Sequence, residues 1–196
     1  MEQFKRIKSV VTPLDKVNVD TDQIIPKQFL KLVQRTGFGQ YLFYDWRYER
    51  GGTLKKDFVL NNQKFKDSKI LLARDNFGCG SSREHAVWAL EDFGFKVIIS
   101  TSFADIFYNN CFKNGVLPIR VSEQLLQKLF ENNSEVEIDL EKQIIRMNNE
   151  MTPFDIESHW KKILLEGLDD IAVTLKYEDK LAHYEKSQKN FKFSVS

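Results

Sequence analysis

KILLARDNFGCGSSREHAVWALEDFGFKVIISTSFADIFYNNCFKNGVLPIR, residues 69–120, alternates short apolar runs with segments of helical spacing. Ile70-Leu71-Leu72-Ala73 and Val97-Ile98-Ile99 are apolar at consecutive positions, the pattern of strands covered on both faces. Residues 82–93 put Ala86, Val87, Leu90 and Phe93 on one helix face, and residues 103–113 do the same with Phe103, Ile106, Phe107 and Phe112. Ser102 followed by Asp105 has the form of a capping box at the start of the second helix, and Gly115 stands where its C-cap belongs. Residues 116–119 resume as strand. Strand, helix, strand, helix, strand predicts parallel pairing through right-handed crossovers, and therefore an α/β fold with a βαβαβ core.

Working outward, residues 8–11 read as a short opening strand. A polar loop, Asn18-Val19-Asp20-Thr21-Asp22, then leads into Ile24-Ile25-Pro26. Residues 38–48 are dense in aromatics, have no regular period, and are bounded by glycines at 37, 39, 51 and 52; they read either as packed core or as a contact surface. Downstream, residues 136–147 alternate as an antiparallel hairpin with one wet face. A helix is expected at 160–166, a turn at 167–170, a strand at 171–175 and a charged helix from about residue 178, with a frayed end from 189. No repeat or linker divides the chain. The reading is one domain over 1–196, with a core of about 1–125 and a C-terminal extension of about 126–190.

Composition narrows the function. With 29 basic against 28 acidic side chains the net charge is +1, which leaves no broad footprint for nucleic acid or an anionic membrane. No apolar run approaches the roughly 20 residues of a membrane span, and the start lacks a secretory apolar stretch, so a cytoplasmic location is expected. The two cysteines, Cys79 and Cys111, form no CxxC pair and are expected as free thiols. No metal is assigned to this chain: His159 and His183 lie without ligand spacing, and the Asn18 to Asp22 loop lacks the glycine and closing acid of an EF-hand.

The densest chemistry lies in Asp75-Asn76-Phe77-Gly78-Cys79-Gly80-Ser81-Ser82-Arg83-Glu84-His85, between a buried strand and a helix start. Glycines allow a close backbone approach, the first helical N–H groups lack partners, the dipole favours negative charge, and Arg83 adds a two-pronged donor. This describes a carboxylate or phosphate site. The dinucleotide fingerprint, the P-loop and the serine-hydrolase elbow all fail to match it, because the third glycine, the Lys-Ser/Thr ending and the closing glycine are missing. Locally, Ser81 and Ser82 could serve as plain helix caps, and Cys79 with His85 could form a nucleophile and base or simply pack.

Three ordered motifs resemble the swivelling domain of the aconitase superfamily: Thr21-Asp22-Gln23-Ile24, Gly80-Ser81-Ser82-Arg83-Glu84-His85-Ala86, and Ser102-Phe103-Ala104 with Asn110 to Ile119. Residues 43–48 and 164–171 further resemble the family of bacterial 3-isopropylmalate dehydratase small subunits. The resemblance implies a swivelling β/β/α fold (aconitase domain 4-like). It also implies isomerisation of 2-isopropylmalate by water loss and re-addition, with a 4Fe-4S cluster on a large subunit. Independently, two cysteines are one too few to hold such a cluster with an open iron. By resemblance Ser81 is the base that takes a proton beside a carboxylate, and Ser82 and Arg83 grip that carboxylate. Asp22 orients a basic side chain or the substrate. Ile25, where tricarboxylate-using relatives carry serine, suits a branched alkyl group. Rival readings are the small chains of homoaconitase, citraconate hydratase or dimethylmaleate hydratase, and a non-catalytic anion-binding module. The aromatic segment at 38–48 is core or faces the large subunit.

Overall fold

In a computed structural model, which describes residues 1–31 and 36–168, the chain runs through β1 (Arg6–Ser9), β2 (Val11–Leu14), α1 (Thr21–Ile24), α2 (Tyr44–Arg47), β3 (Ile70–Ala73), α3 (Glu84–Phe93), β4 (Val97–Ser100), α4 (Asp105–Lys113), β5 (Leu117–Arg120), α5 (Glu123–Glu131), β6 (Val136–Asp139), β7 (Ile144–Met147), β8 (Glu150–Pro153) and α6 (Ser158–Glu166). The strand expected at 171–175 and the helix from about 178 lie outside the described residues, as do residues 169 and 170 of the expected turn at 167–170.

Two four-stranded sheets organise these elements. One is parallel, in the order β2-β3-β4-β5; the other is antiparallel, in the order β1-β6-β7-β8. The expected parallel α/β core is therefore present. The alternation of side chains along β3 and β4 explains their unbroken apolar sequence, because each face meets a different core. Leu71, Ala73 and Ile98 pack with Ala86, Val87, Ala89 and Leu90 of α3, whereas Ile70, Leu72, Val97 and Ile99 pack with Leu126 and Leu129 of α5 and with Val136 and Ile138 of β6. Pro13, Pro118 and Pro153 all stand on edge strands, where a missing N–H costs no ladder bond and discourages further pairing.

Several expectations are corrected. The opening strand is two strands: the chain leaves the antiparallel sheet after Ser9 and enters the parallel one at Val11. The hairpin pairs with β1, from Arg6↔Asp139 to Ser9↔Val136, and its inner residues share a core with the parallel sheet. Helix α5 and strand β8 were not anticipated. Ser102 does not cap α4, whose N-cap is Ala104 with no side-chain bond; its hydroxyl instead donates to Asp75 and accepts the Asn76 N–H. Gly115 does take a left-handed backbone just past α4. The aromatic segment is core on its inner side: Phe38, Leu42 and Phe43 are fully buried, and buried Arg47 donates to Asn61 and the Gly39 carbonyl.

If β6 is integral to the core, Ile138→Ala should cost about 2–5 kcal/mol in chemical denaturation. Met151→Ser, at a side chain that is 64% exposed on β8, should change stability by less than about 0.5 kcal/mol.

Candidate active site

Two loops roughly sixty residues apart meet ahead of α3. The Gly78 N–H donates to the Val19 carbonyl (2.8 Å), the Thr21 N–H to the Cys79 carbonyl (2.9 Å), and the Thr21 hydroxyl to the Ser81 carbonyl (2.8 Å). Asp20 supports this crossing with a capping box on α1: its carboxylate accepts the Gln23 N–H, and the Gln23 side chain accepts the Asp20 N–H. Gly78 has φ +77°, and a Cβ there would lie 2.1 Å from the Phe107 ring, so only glycine lets the loop lie this close against α4.

The crossing brings Asp22, in the first turn of α1, to Arg83. Arg83 Nη2 donates to Asp22 Oδ2 at 2.9 Å, and Nη1 lies 2.5 Å from Oδ1 without the alignment of a hydrogen bond. Lys27 stands 3.7 Å from the same carboxylate. The hydrogen bond from Arg83 is the main reason the Asp22 carboxyl sits below the usual carboxylate range, with desolvation opposing it. Arg83 is 9% exposed against 40% for Asp22, so water screens the acid and the pair is worth about 1 kcal/mol or less. Its principal effect is geometric, since it fixes where the guanidinium points.

Helix α3 opens without a side-chain cap. Arg83 occupies the N-cap position in extended backbone, and no side chain accepts from the first helical N–H groups. Ser81 and Ser82 are exposed just before it and do not cap it, which sets aside the plain capping alternative. Burial, with the Asp20 carboxylate adding to it, pushes the Cys79 thiol up, and His85 packs against Phe38 and Trp88. The arrangement offers no activated thiolate there.

Ser81, Ser82 and Arg83 face the first turn of α4 across a cavity of about 270 Å³. Larger hollows of about 710 Å³ and 630 Å³ lie beside the β7–β8 turn and along the N-terminal strand, but neither contains a helix start with unpaired N–H groups. The smaller cavity is therefore the candidate site. Asp22 reaches it through Arg83. Ile25 does not: it is fully buried in the core, with no surface to offer an alkyl group. Thr21 and the residues from Ala104 to Phe107 line the cavity, although in the sequence they had only motif or helix-face places and no part in the site; the Gly78–Phe107 contact that brings α4 here spans too much sequence to be read locally.

A model of the aconitase C-terminal domain matches residues 1–124. The chain belongs to that family. It is 56% identical over 191 residues to the 3-isopropylmalate dehydratase small subunit of Brevibacillus brevis, covering 94% of this chain and 98% of that one. With the small subunit of the same name from Shouchella clausii it shares 53% identity over 192 residues, covering 96% and 98%. A crystal structure of 3-isopropylmalate dehydratase from Methanocaldococcus jannaschii superposes with a TM-score of 0.66 at 29% identity, covering 92% of this chain and 99% of the other. The aconitase-domain match spans both loops of the crossing, whereas β6 to β8 and α6 lie beyond it.

The donors present do not fit an iron–sulfur cluster. Among the described residues no three His, Cys, Asp or Glu side chains converge, and burial pushes the thiol of fully buried Cys111 well up. Nor is any helix among the described residues long and apolar enough to cross a membrane.

The lowered pKa of Asp22 predicts a pH signature. Its pairing contributes stability above the unfolded carboxylate pKa and loses it as pH falls through the lower folded value. The stability difference between wild type and Asp22→Asn, from denaturation at each pH, should be flat above about pH 5 and shrink below it.

Proposed function

We propose that this chain is the small subunit of a 3-isopropylmalate dehydratase and supplies the loop from Ser81 to Arg83 to a site completed by a large subunit. The observation that carries the reading is the uncapped start of α3, with Asp22-anchored Arg83 and two exposed serines, in a chain similar over nearly its whole length to small subunits of that enzyme.

The chemistry follows from the residues. A hydroxy-dicarboxylate entering the cavity meets the loop that leads into α3 and Arg83 at its N-cap, whose five donors are not all used by one aligned bond to Asp22. Ser82 adds a hydroxyl to that grip. Ser81 Oγ, as the alkoxide, takes the proton from the carbon beside a carboxylate; the C–H electron pair becomes the new C=C bond as the neighbouring hydroxyl leaves as hydroxide, giving 2-isopropylmaleate, and a proton from solvent turns the hydroxide into water. Re-addition returns the proton to the other carbon and the hydroxyl to its neighbour. A serine hydroxyl is too weak an acid to act unaided, so the helix start and Arg83 must hold the alkoxide charge. Asp22 keeps the guanidinium aimed at the cavity.

We assign the 4Fe-4S cluster implied by the resemblance to the large subunit, where its Lewis acidity would act on the departing hydroxyl. The two free thiols suit a reducing, cytoplasmic setting.

In the reconstituted two-chain enzyme, Ser81→Ala should leave assembly intact and lower kcat by about 10²–10⁴-fold; an undiminished rate would remove Ser81 from the chemistry. Arg83→Lys replaces a planar fork by a point charge and should raise KM for 2-isopropylmalate by about tenfold, read from initial-rate kinetics.

A further inference from the structure

We propose that Thr21 is a positioning residue whose hydroxyl, bonded to the Ser81 carbonyl, holds the candidate base in place for proton transfer; this deepens the function proposed above and rests on it. Thr21 grips the loop at two points. Its N–H donates to the Cys79 carbonyl at 2.9 Å and its hydroxyl to the Ser81 carbonyl at 2.8 Å, so one residue of α1 holds alternate carbonyls of the loop. Gly80, between them, takes φ +87°, and a Cβ there would lie 3.4 Å from the Asp20 Cβ and 3.7 Å from the Thr21 hydroxyl oxygen.

Ser81 depends on this grip. It is exposed and follows a glycine in left-handed backbone, and among the described residues the Thr21 hydroxyl supplies the only hydrogen bond to it. A loop of that kind is free to turn about its glycine unless something holds the next peptide. Thr21 is suited to hold it, because it is 2% exposed and its β-branched side chain has few rotamers, which makes the hydroxyl a fixed point. A trans peptide sets its C=O and N–H on opposite sides, so the bond that turns the Ser81 carbonyl toward Thr21 also turns the Ser82 N–H away from it. One hydroxyl therefore sets the plane on which both serines stand.

The grip on the carboxylate is anchored separately. Asp22, the next residue of α1, holds Arg83 by the 2.9 Å bond from its guanidinium, and that bond does not pass through the Thr21 hydroxyl. Adjacent residues of one helical turn thus serve different parts of the site, Thr21 the base and Asp22 the anion-holding group. Loss of the hydroxyl releases Ser81 while Arg83 stays in place, and kinetics separate the two effects: proton transfer is read in kcat and substrate binding in KM.

The test uses the reconstituted two-chain enzyme with wild type, Thr21→Ser, Thr21→Val, Thr21→Ala and Ser81→Ala. Initial rates on 2-isopropylmalate are measured beside subunit affinity and thermal unfolding. Val keeps the shape of Thr but puts a methyl against the carbonyl, so Ala is carried alongside as the variant that only removes the bond. The expected result is a fall of about 10- to 100-fold in kcat with both Val and Ala, KM within about threefold of wild type, and recovery to within about threefold of the wild-type kcat with Ser. A loss with Val alone overturns the inference, since it marks a clash and not a missing bond. So does a Ser variant as impaired as Ala, or a loss that tracks weakened subunit affinity or a lowered unfolding temperature, either of which makes Thr21 a structural residue only. If Ser81→Ala keeps the wild-type rate, the proposed role of Ser81 falls and the inference with it. If Ser81→Ala collapses turnover while Thr21→Ala does not, the inference alone is overturned.

Discussion

The Asp22–Arg83 contact, and the crossing of two loops that makes it, is the constraint on which the rest of the site depends. Taken alone it is a weak bond, since Asp22 is open to water. Its importance lies in what it joins. One side belongs to a short helix held by the Asp20 capping box, the other to the start of a helix packed into the core. Without the crossing, Arg83 would be a cation near the positive end of a helix dipole, with nothing to favour that position. With it, a nearly buried guanidinium is held by Asp22 on a residue that lines the cavity, and keeps donors to spare.

Which features were legible in the sequence follows from how local their causes are. The runs at Ile70 to Ala73 and Val97 to Ile99, and the helix spacing between them, state their structure within a dozen residues, and the parallel core follows. The split of the opening strand at Val10 was not legible, because Ser9 and Val11 choose partners more than fifty residues away, and no local pattern encodes that choice. Ser102 and Asp105 have the form of a capping box, yet the hydroxyl is claimed by Asp75 and the Asn76 N–H, which a local reading cannot weigh. Helix α5 was overlooked although Leu126 and Leu129 have helical spacing.

The site shows the same division. Ser81, Ser82 and Arg83 could be named as a candidate anion site from their neighbours alone, and the structure brings them to one cavity. Asp22 was nameable only through resemblance, because its partner is 61 residues distant. Ile25 was chosen for its chemistry, but chemistry does not say which way a side chain faces, and this one faces the core. Ile106 sat within a correctly read helix and was counted there as part of the apolar face; its exposure emerges only once Phe107, Cys111 and Phe112 are seen to fill that face.

The proposed function makes this chain half of an active site, with candidate anion-holding groups and a candidate base but, among the described residues, no three His, Cys, Asp or Glu side chains that converge as a cluster would need. The most direct measurement is anaerobic mixing with the cognate large subunit, following turnover of 2-isopropylmalate beside citrate, with each chain assayed separately. Turnover in the mixture alone, and on 2-isopropylmalate in preference to citrate, is what the account predicts. Full activity from either chain by itself, or a mixture that neither associates nor turns over 2-isopropylmalate, would contradict it.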